Sequence, residues 1–126
     1  FAESDVVSIH VVLSERTRGL VSAAELTLMK PNAFLINTSR GPIIDEPALL
    51  DALRTGRIAG AGLDVFDTEP LPAEHPLRVL PTVTLSPHLG YVTREMLGAF
   101  YADTVEAVAA WLDGAPVRTA GPSTNS

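Results

Sequence analysis

The stretch that decides the fold is residues 33–65, AFLINTSRGPIIDEPALLDALRTGRIAGAGLDV. It begins with a short apolar run, Ala33–Ile36, which predicts a β-strand. A helix follows, because Asp45 is suited to cap its first turn and Gly56 stands just beyond its last turn. The apolar run Ile58–Val65 then predicts another strand. Strand, helix and strand in this order are typical of a parallel sheet.

The segment before this stretch continues the alternation. Val6–Val12 is rich in β-branched residues and predicts a strand buried on both faces. Ser22 and Glu25 have the spacing of a capping box, which predicts a helix over Ala23–Met29. Pro31 prevents that helix from continuing.

The segment after it adds one short strand and one long helix. Val83–Leu85 predicts the fourth strand, and the proline-rich connection before it predicts an ordered active-site loop or a short helix. Apolar residues spaced three and four apart predict a helix over Arg94–Leu112, which Gly114 ends. Arg118–Ser126 is expected to be a frayed tail. The predicted class is α/β, a partial doubly wound, Rossmann-like parallel sheet with a long C-terminal helix.

Composition narrows the function classes. The chain has 126 residues, of which 46% are hydrophobic and 19% charged, so one core is expected. The net charge of -6 argues against nucleic acid or an anionic membrane as a partner. The absence of Cys and of any apolar stretch near ~20 residues predicts a soluble, cytoplasmic protein. Because the chain starts with Phe1 and a strand follows almost at once, we expect a fragment of a longer protein.

Polar residues follow every predicted strand. In open parallel sheets, ligands bind beyond the carboxyl ends of the strands. The residues at those positions are His10, Asn37 to Gly41, Asp64, and Ser86 to His88. Ser, Asn and Gly also suit simple turns, but two His, an Arg and an Asp favour a binding or catalytic site.

Arg40 is the most informative of these residues. It precedes a Gly-Pro pair that stiffens the backbone, and its forked donors match a carboxylate. The alternative is a surface Arg paired with Asp45 or Glu46.

His88 is the candidate proton donor, because histidine exchanges protons near neutral pH when a neighbour fixes its tautomer. Glu69, on the proline-rich connection, is a candidate neighbour. Asp67 and Glu74 on the same connection remain alternatives. His75 is expected to be an ordinary exposed loop residue.

Asp64 ends a strand of very small residues. Gly60 and Gly62 allow another backbone or a flat ring to approach closely. The pair looks like the start of a G-x-G-x-x-G phosphate loop, but Val65 stands where the third glycine belongs, so we reject a pyrophosphate site there. No metal site is expected, since the three His residues are far apart in sequence.

Five segments together carry a family resemblance. They are Asp5–His10, Asn37–Gly41, Gly62–Phe66, Glu69–Pro72 and Ser86–Gly90. In order and spacing they resemble the D-isomer-specific 2-hydroxyacid dehydrogenases, over about Ser4 to Arg118. The family often has a Pro shortly after the His10 position, where this chain has Val11 and Val12.

The resemblance implies an oxidoreductase that transfers a hydride between NAD(P)H and a small 2-keto or 2-hydroxy acid. It implies that Arg40 binds the carboxylate and carbonyl of the acid. It further implies that His88 protonates the carbonyl oxygen and that Glu69 keeps His88 protonated and oriented. A homodimer of the full-length protein is also implied.

The resemblance also assigns the cofactor side of the site. Asp64 would hold the nicotinamide side of NAD or NADP, and the residues expected around the same pocket are His10, Thr38, Arg40, Gly90 and Tyr91. Residues 1–91 would be the second part of the nucleotide-binding domain, 92–114 a helix returning towards the substrate domain, and 115–126 a tail. Since the family places its glycine-rich phosphate loop upstream of residue 1, the chain alone is not expected to bind NAD properly.

Other functions remain open at the level of sequence. A relative that uses formate or phosphite is disfavoured by Glu69, since formate dehydrogenases of the family have a Gln there. A non-enzymatic binding module and an inactive remnant of the same fold would keep the same motifs.

Overall fold

The structure is a computed structural model and describes residues Phe1–Thr119. Its helices and strands are β1 (Val6–Ile9), α1 (Ala23–Leu28), β2 (Phe34–Asn37), a first 3-10 helix (Gly41–Ile43), α2 (Glu46–Arg54), β3 (Gly60–Leu63), a second 3-10 helix (Pro76–Val79), β4 (Val83–Leu85) and α3 (Arg94–Leu112). The chain divides into two compact units, the first spanning Phe1–Gly90 and the second starting at Tyr91. Of the predicted tail, residues 120–126 lie outside the described part of the chain.

The four strands form one parallel sheet in the order β1, β2, β3, β4. The register sets Ile9 beside Asn37, and Asn37 beside Leu63. The carboxyl ends of the strands therefore meet at one edge, which confirms the predicted α/β class and the predicted parallel sheet.

One apolar cluster fills the first unit. Leu35 of β2, Leu63 of β3, Leu26 of α1 and Leu49 of α2 are all buried in it, as is Leu77 of the second 3-10 helix. Burying side chains of this size stabilises the fold by about 1.5–3 kcal/mol each. The core thus fixes the strand ends and the connection between β3 and β4.

Both predicted helix starts in this unit are confirmed. Ser22 and Glu25 form the complete capping box at α1. At α2, the Asp45 side chain accepts a hydrogen bond from the N–H of Ala48. Gly56, just beyond α2, has a φ of 67°, which is the left-handed conformation expected of a glycine that ends a helix.

The prediction for β1 is wrong in length and in burial. The strand ends at Ile9, so Val11 and Val12 lie outside the sheet. Val6 is 57% exposed, and Ile9 is the buried residue of the strand. Val6 and Ser8 share the exposed face of β1, whereas Val7 and Ile9 on the opposite face pack against the core, so only one face of the strand is buried.

The small residues of β3 permit close packing within the sheet, as predicted. A Cβ on Gly60 would lie 2.4 Å from the carbonyl oxygen of Thr82 and 3.2 Å from the Phe34 ring. A Cβ on Gly62 would lie 3.0 Å from Cδ1 of Ile36. A backbone and a flat ring thus approach the strand here.

The connection between β3 and β4 is ordered and contains a short helix, as predicted. The second 3-10 helix occupies its C-terminal part, and the peptide bond between Glu69 and Pro70 is cis.

Helix α3 is confirmed at its predicted bounds, Arg94–Leu112. The Thr93 side chain caps it by accepting from the N–H of Met96, and Gly114 follows it with a φ of 75°. Across residues 1–119, the structure has no helix with the length and apolar character needed to cross a membrane.

Candidate active site

His88 and Glu69 form an ion pair in the first unit. Nδ1 of His88 lies 2.6 Å from Oε2 of Glu69, and each side chain is 34% exposed. An ionised carboxylate can only accept, so Nδ1 carries the proton of this hydrogen bond. The pair fixes the orientation of the imidazole and assigns the tautomer of its neutral form.

The surroundings of Glu69 favour its charged form. Burial alone would raise the pKa of Glu69, but the hydrogen bonds from His88 and from the N–H of Phe66, with the charges of His88 and Arg40, lower it below its ordinary value. The carboxylate is therefore ionised at neutral pH. The charges of Arg40 and His88 thus both act on Glu69.

His88 has an unusual backbone conformation. Its φ of 60° lies in the left-handed region, which a non-glycine residue adopts only when its surroundings impose it. The N–H groups of Leu89 and Gly90 both point at Asp64, with distances of 2.8 Å to Oδ1 and 2.7 Å to Oδ2. Two hydrogen bonds, donated by the backbone N–H groups to one buried carboxylate, hold the turn that carries His88.

Asp64 is buried and charged. Burial would raise the pKa of Asp64, but the Ser86 hydroxyl, the N–H groups of Gly90 and Leu89, and the positive charge of His88 bring it below its ordinary value. Its carboxylate is therefore a stable anion inside the protein. In the described residues each of its two oxygens accepts a hydrogen bond from the backbone directly after His88.

Arg40 is presented by a turn built on a buried Asn. The Asn37 side chain donates to the carbonyl of Arg40 at 2.9 Å and accepts from the N–H of Ser39 at 3.0 Å. The guanidinium of Arg40 donates to the Ser39 carbonyl, and the residue is exposed. Glu46, one of the two acids weighed as its surface partner, is instead paired with His75.

The other expected cofactor residues are Thr38, Gly90, His10 and Tyr91, and each has its own surroundings. Thr38 is next to Gly90, since a Cβ on Gly90 would lie 3.7 Å from Cβ of Thr38 and 2.9 Å from Oδ2 of Asp64. His10 is exposed just after β1, with Nε2 2.8 Å from the Ser8 hydroxyl. Tyr91 belongs to the second unit, where its ring lies 6.4 Å from that of Phe100.

The expectation that His75 is an ordinary exposed loop residue is wrong. Its side chain is 17% exposed, and its Nε2 lies 2.9 Å from Oε1 of Glu46. His75 also caps the second 3-10 helix by accepting from the N–H of Leu77. It ties the connection between β3 and β4 to the start of α2.

A cavity of about 590 Å³ adjoins the ion pair. Glu69, His88 and Arg78 supply its charged lining, and Phe66, Leu71 and Leu85 supply most of the apolar lining. A search of residues 1–119 finds no group of three His, Cys, Asp or Glu side chains placed to hold a metal ion. This geometry supports proton transfer by His88, with the positive charge of Arg40 acting on its partner Glu69.

Residues 1–90 match the family model described as "D-isomer specific 2-hydroxyacid dehydrogenase, NAD binding domain". The chain belongs to this family. The sequence motifs quoted above and the structure agree with this assignment.

Individual members of the family are similar over most of the chain. The glyoxylate reductase of Aeropyrum pernix is 53% identical over 93 residues, which are 74% of this chain and 28% of the relative. The glyoxylate/hydroxypyruvate reductase B of Pectobacterium carotovorum is 46% identical over 113 residues, 90% of this chain and 35% of the relative. The chain thus spans about a third of the length of these curated relatives.

Solved structures of dehydrogenases share the fold. A D-isomer-specific 2-hydroxyacid dehydrogenase from Xanthobacter autotrophicus, in complex with NADPH and MES, superposes with a TM-score of 0.72 and 40% identity. That match covers 93% of this chain and 48% of the other. A phosphoglycerate oxidoreductase from Vibrio cholerae gives a TM-score of 0.83 at 36% identity, over 91% of this chain and 37% of the other.

The sequence interpretation missed three residues that shape the site. Asn37 was treated as a turn residue, although an Asn at a strand end can bond to its own following backbone. Ser86 was noted only as part of a motif, yet its hydroxyl supports Asp64. Arg78 had no signal in the sequence, since its hydrogen bonds depend on the path of the connection after Glu69.

Proposed function

We propose that the full-length protein is an NAD(P)-dependent dehydrogenase that interconverts a small 2-keto acid and its 2-hydroxy acid. The observation that carries the proposal is the ion pair of His88 and Glu69, 2.6 Å long, with Arg40 close enough to lower the pKa of Glu69. The names of the similar reductases, which mention glyoxylate and hydroxypyruvate, support this substrate class.

In this proposal Arg40 anchors the acid. Its guanidinium can bind a carboxylate with two parallel hydrogen bonds, which also orients the neighbouring carbonyl. Its charge would stabilise the negative charge that develops on the carbonyl oxygen.

His88 supplies the proton. Glu69 occupies Nδ1, so Nε2 is the nitrogen that would give its proton to the carbonyl oxygen. The negative charge of Glu69 stabilises the imidazolium before transfer, and the turn held by Asp64 keeps the ring in place.

The described residues fit the nicotinamide end of the cofactor. Thr38, Asp64 and Gly90 lie together at the carboxyl edge of the sheet, where dinucleotides bind in this class of fold. Of these three, Thr38 and Gly90 are exposed. When bound, the nicotinamide gives or accepts the hydride, and the residues of this chain position it and exchange the proton.

The remaining parts of the proposal concern the whole protein. We infer that residues 1–91 form the second part of a nucleotide-binding domain. The helix in residues 92–114 would lead back towards a substrate domain, with 115–126 as a tail. A cytoplasmic location without nucleic-acid or membrane contacts accords with the net charge of -6 and the absence of Cys. The homodimer of the full-length protein is inferred from the family resemblance alone.

The test is steady-state kinetics of the full-length protein with NADH or NADPH and glyoxylate or hydroxypyruvate. We expect turnover, with Arg40→Ala raising KM for the acid. His88→Ala should lower kcat by about 10²–10⁴-fold, the usual contribution of a general acid. Glu74→Gln, an exposed acid on the same connection as Glu69, is the control and should leave both constants unchanged.

Two outcomes would contradict the proposal. Unaltered kcat in His88→Ala would exclude His88 as the proton donor. A full-length protein that binds NADH but reduces no 2-keto acid would instead be a binding module of the same fold.

A further inference from the structure

Arg78 binds the backbone directly after Glu69. From the second 3-10 helix its guanidinium reaches back to two successive carbonyls. Nη2 donates to Leu71 at 2.6 Å and Nε donates to Pro72 at 2.8 Å. One planar, forked group thus fixes two peptide units next to the Glu69–Pro70 bond.

The helix that carries Arg78 is itself anchored. Leu77 is 1% exposed in the core, and His75 bonds to Glu46 at the start of α2. The N–H of Arg78 donates to the carbonyl of His75 at 3.0 Å. The guanidinium is therefore held from the core and from α2, and it transmits that fixed position to Leu71 and Pro72.

Arg78 lines the same cavity as Glu69 and His88. The charges that oppose the effect of burial on the pKa of Glu69 are those of His88 and Arg40. Arg78 instead contacts the connection through hydrogen bonds to the Leu71 and Pro72 carbonyls, which a charge alone cannot replace.

We propose that Arg78 is a positioning residue: its guanidinium holds the Leu71 and Pro72 carbonyls so that the Glu69 carboxylate stays against His88. This inference rests on the proposed function, since the pair affects turnover only if His88 is the proton donor.

Kinetics of the full-length protein test the effect on turnover. Arg78→Met should lower kcat by about ten- to a hundredfold, the size expected when a reacting group is misplaced by a fraction of an ångström to an ångström. KM for the cofactor should change little. Arg78→Lys keeps the charge but loses the fork, so its kcat should lie near that of Arg78→Met. Full activity in Arg78→Lys would overturn the proposal.

Arg57→Met is the matched control. The guanidinium of Arg57 also donates to a backbone carbonyl, that of Thr27, but at the end of α1. This variant removes the same kind of interaction at the end of α1, and not in the connection that carries Glu69, so kcat should stay at the wild-type value. A loss of kcat equal to that of Arg78→Met would mean that any such deletion has the effect, and would overturn the proposal.

The titration of Glu69 gives a readout that does not depend on activity. In the full-length protein, carbon NMR of the Glu69 carboxyl should show its pKa rising towards the ordinary value in Arg78→Met and Arg78→Lys, and unchanged in Arg57→Met. An unchanged Glu69 pKa in both Arg78 variants would overturn the positioning role. A full-length wild-type protein without keto-acid reduction would overturn only the proposed function, and the titration would still decide the role of Arg78.

Discussion

A single carboxylate, that of Asp64, links the end of β3 to the backbone that carries His88. It lies one residue after the last residue of β3, Leu63, and its two oxygens accept from successive N–H groups of the turn. His88 needs such support, because its left-handed backbone is unfavourable on its own. The orientation of the proposed proton donor therefore depends on an acid that need not touch the substrate.

Asp64→Asn tests this link. The amide keeps the size of the side chain but turns one acceptor into a donor that faces a backbone N–H. We expect the free energy of unfolding at neutral pH to fall by about 1–3 kcal/mol, the cost of an unsatisfied buried group. Urea unfolding followed by circular dichroism measures the change.

The same variant should alter the pH dependence of stability. Against burial, the bonds from Ser86 and the turn place the folded pKa of Asp64 below its unfolded value, roughly 3.9. Its contribution is therefore complete above the unfolded pKa and is lost as pH falls through the folded pKa. Asp64→Asn should lose less stability than wild type on acidification. The control is Asp51→Asn on the exposed face of α2, and equal behaviour of the two variants would contradict the link.

At the scale of single residues, the sequence could single out Arg40 and His88 as candidate site residues, because strand ends in a parallel sheet mark the binding edge. It could not choose Glu69 over Asp67 and Glu74 without the family resemblance. The choice depends on the hydrogen bonds of Glu69 with His88 and with the N–H of Phe66, and both arise from the path of the connection.

At the scale of elements, the first 3-10 helix packs tightly against the backbone of Phe66 and Asp67. A Cβ on Gly41 would lie 2.0 Å from the carbonyl carbon of Phe66 and 2.5 Å from the nitrogen of Asp67. These atoms are backbone and cannot move aside as a side chain could. The connection that presents Arg40 is thus packed directly against the one that presents Glu69.

Gly41→Ala should push these two connections apart. We expect a loss of about 1–3 kcal/mol in the free energy of unfolding, the usual cost of overpacking. Gly98→Ala in α3 is the matched control, since a Cβ there meets nothing within 4 Å. In a helix interior that substitution should stabilise by about 0.5–1 kcal/mol. Changes of the same sign in the two variants, measured by urea unfolding, would refute the packing argument.

Helices whose first turn is capped by residues close in sequence were predictable. Features that depend on contacts between residues distant in sequence were less so. Ser22 and Asp45 cap their helices through bonds within a few residues, so the sequence contains the information. The burial of β1 depends on what packs against the face that carries Val6 and Ser8, and no local pattern determines that. His75 was misjudged for the same reason, because its partner Glu46 is 29 residues away.

For the whole molecule, the affinity for a dinucleotide depends on which parts of the proposed binding site the chain contains. The carboxyl edge of the sheet presents Thr38, Asp64 and Gly90 near the proposed proton donor. No complete G-x-G-x-x-G run occurs in the 126 residues. That motif places backbone N–H groups around the pyrophosphate. In the proposed function the chain therefore supplies groups for the nicotinamide end, whereas the loop for the phosphates is not among these 126 residues.

The 126-residue chain should consequently bind NADH much more weakly than the full-length protein. Losing two hydrogen bonds to a charged group removes about 3–6 kcal/mol. The dissociation constant should therefore rise by at least about a hundredfold. Titration calorimetry with NADH on both proteins measures the difference. His88→Ala in the full-length protein serves as a control, because removing the imidazole should leave the contacts to the phosphates intact. Equal affinity of the chain and the full-length protein would place the main cofactor contacts within residues 1–126 and contradict the assignment of the phosphate site to another segment.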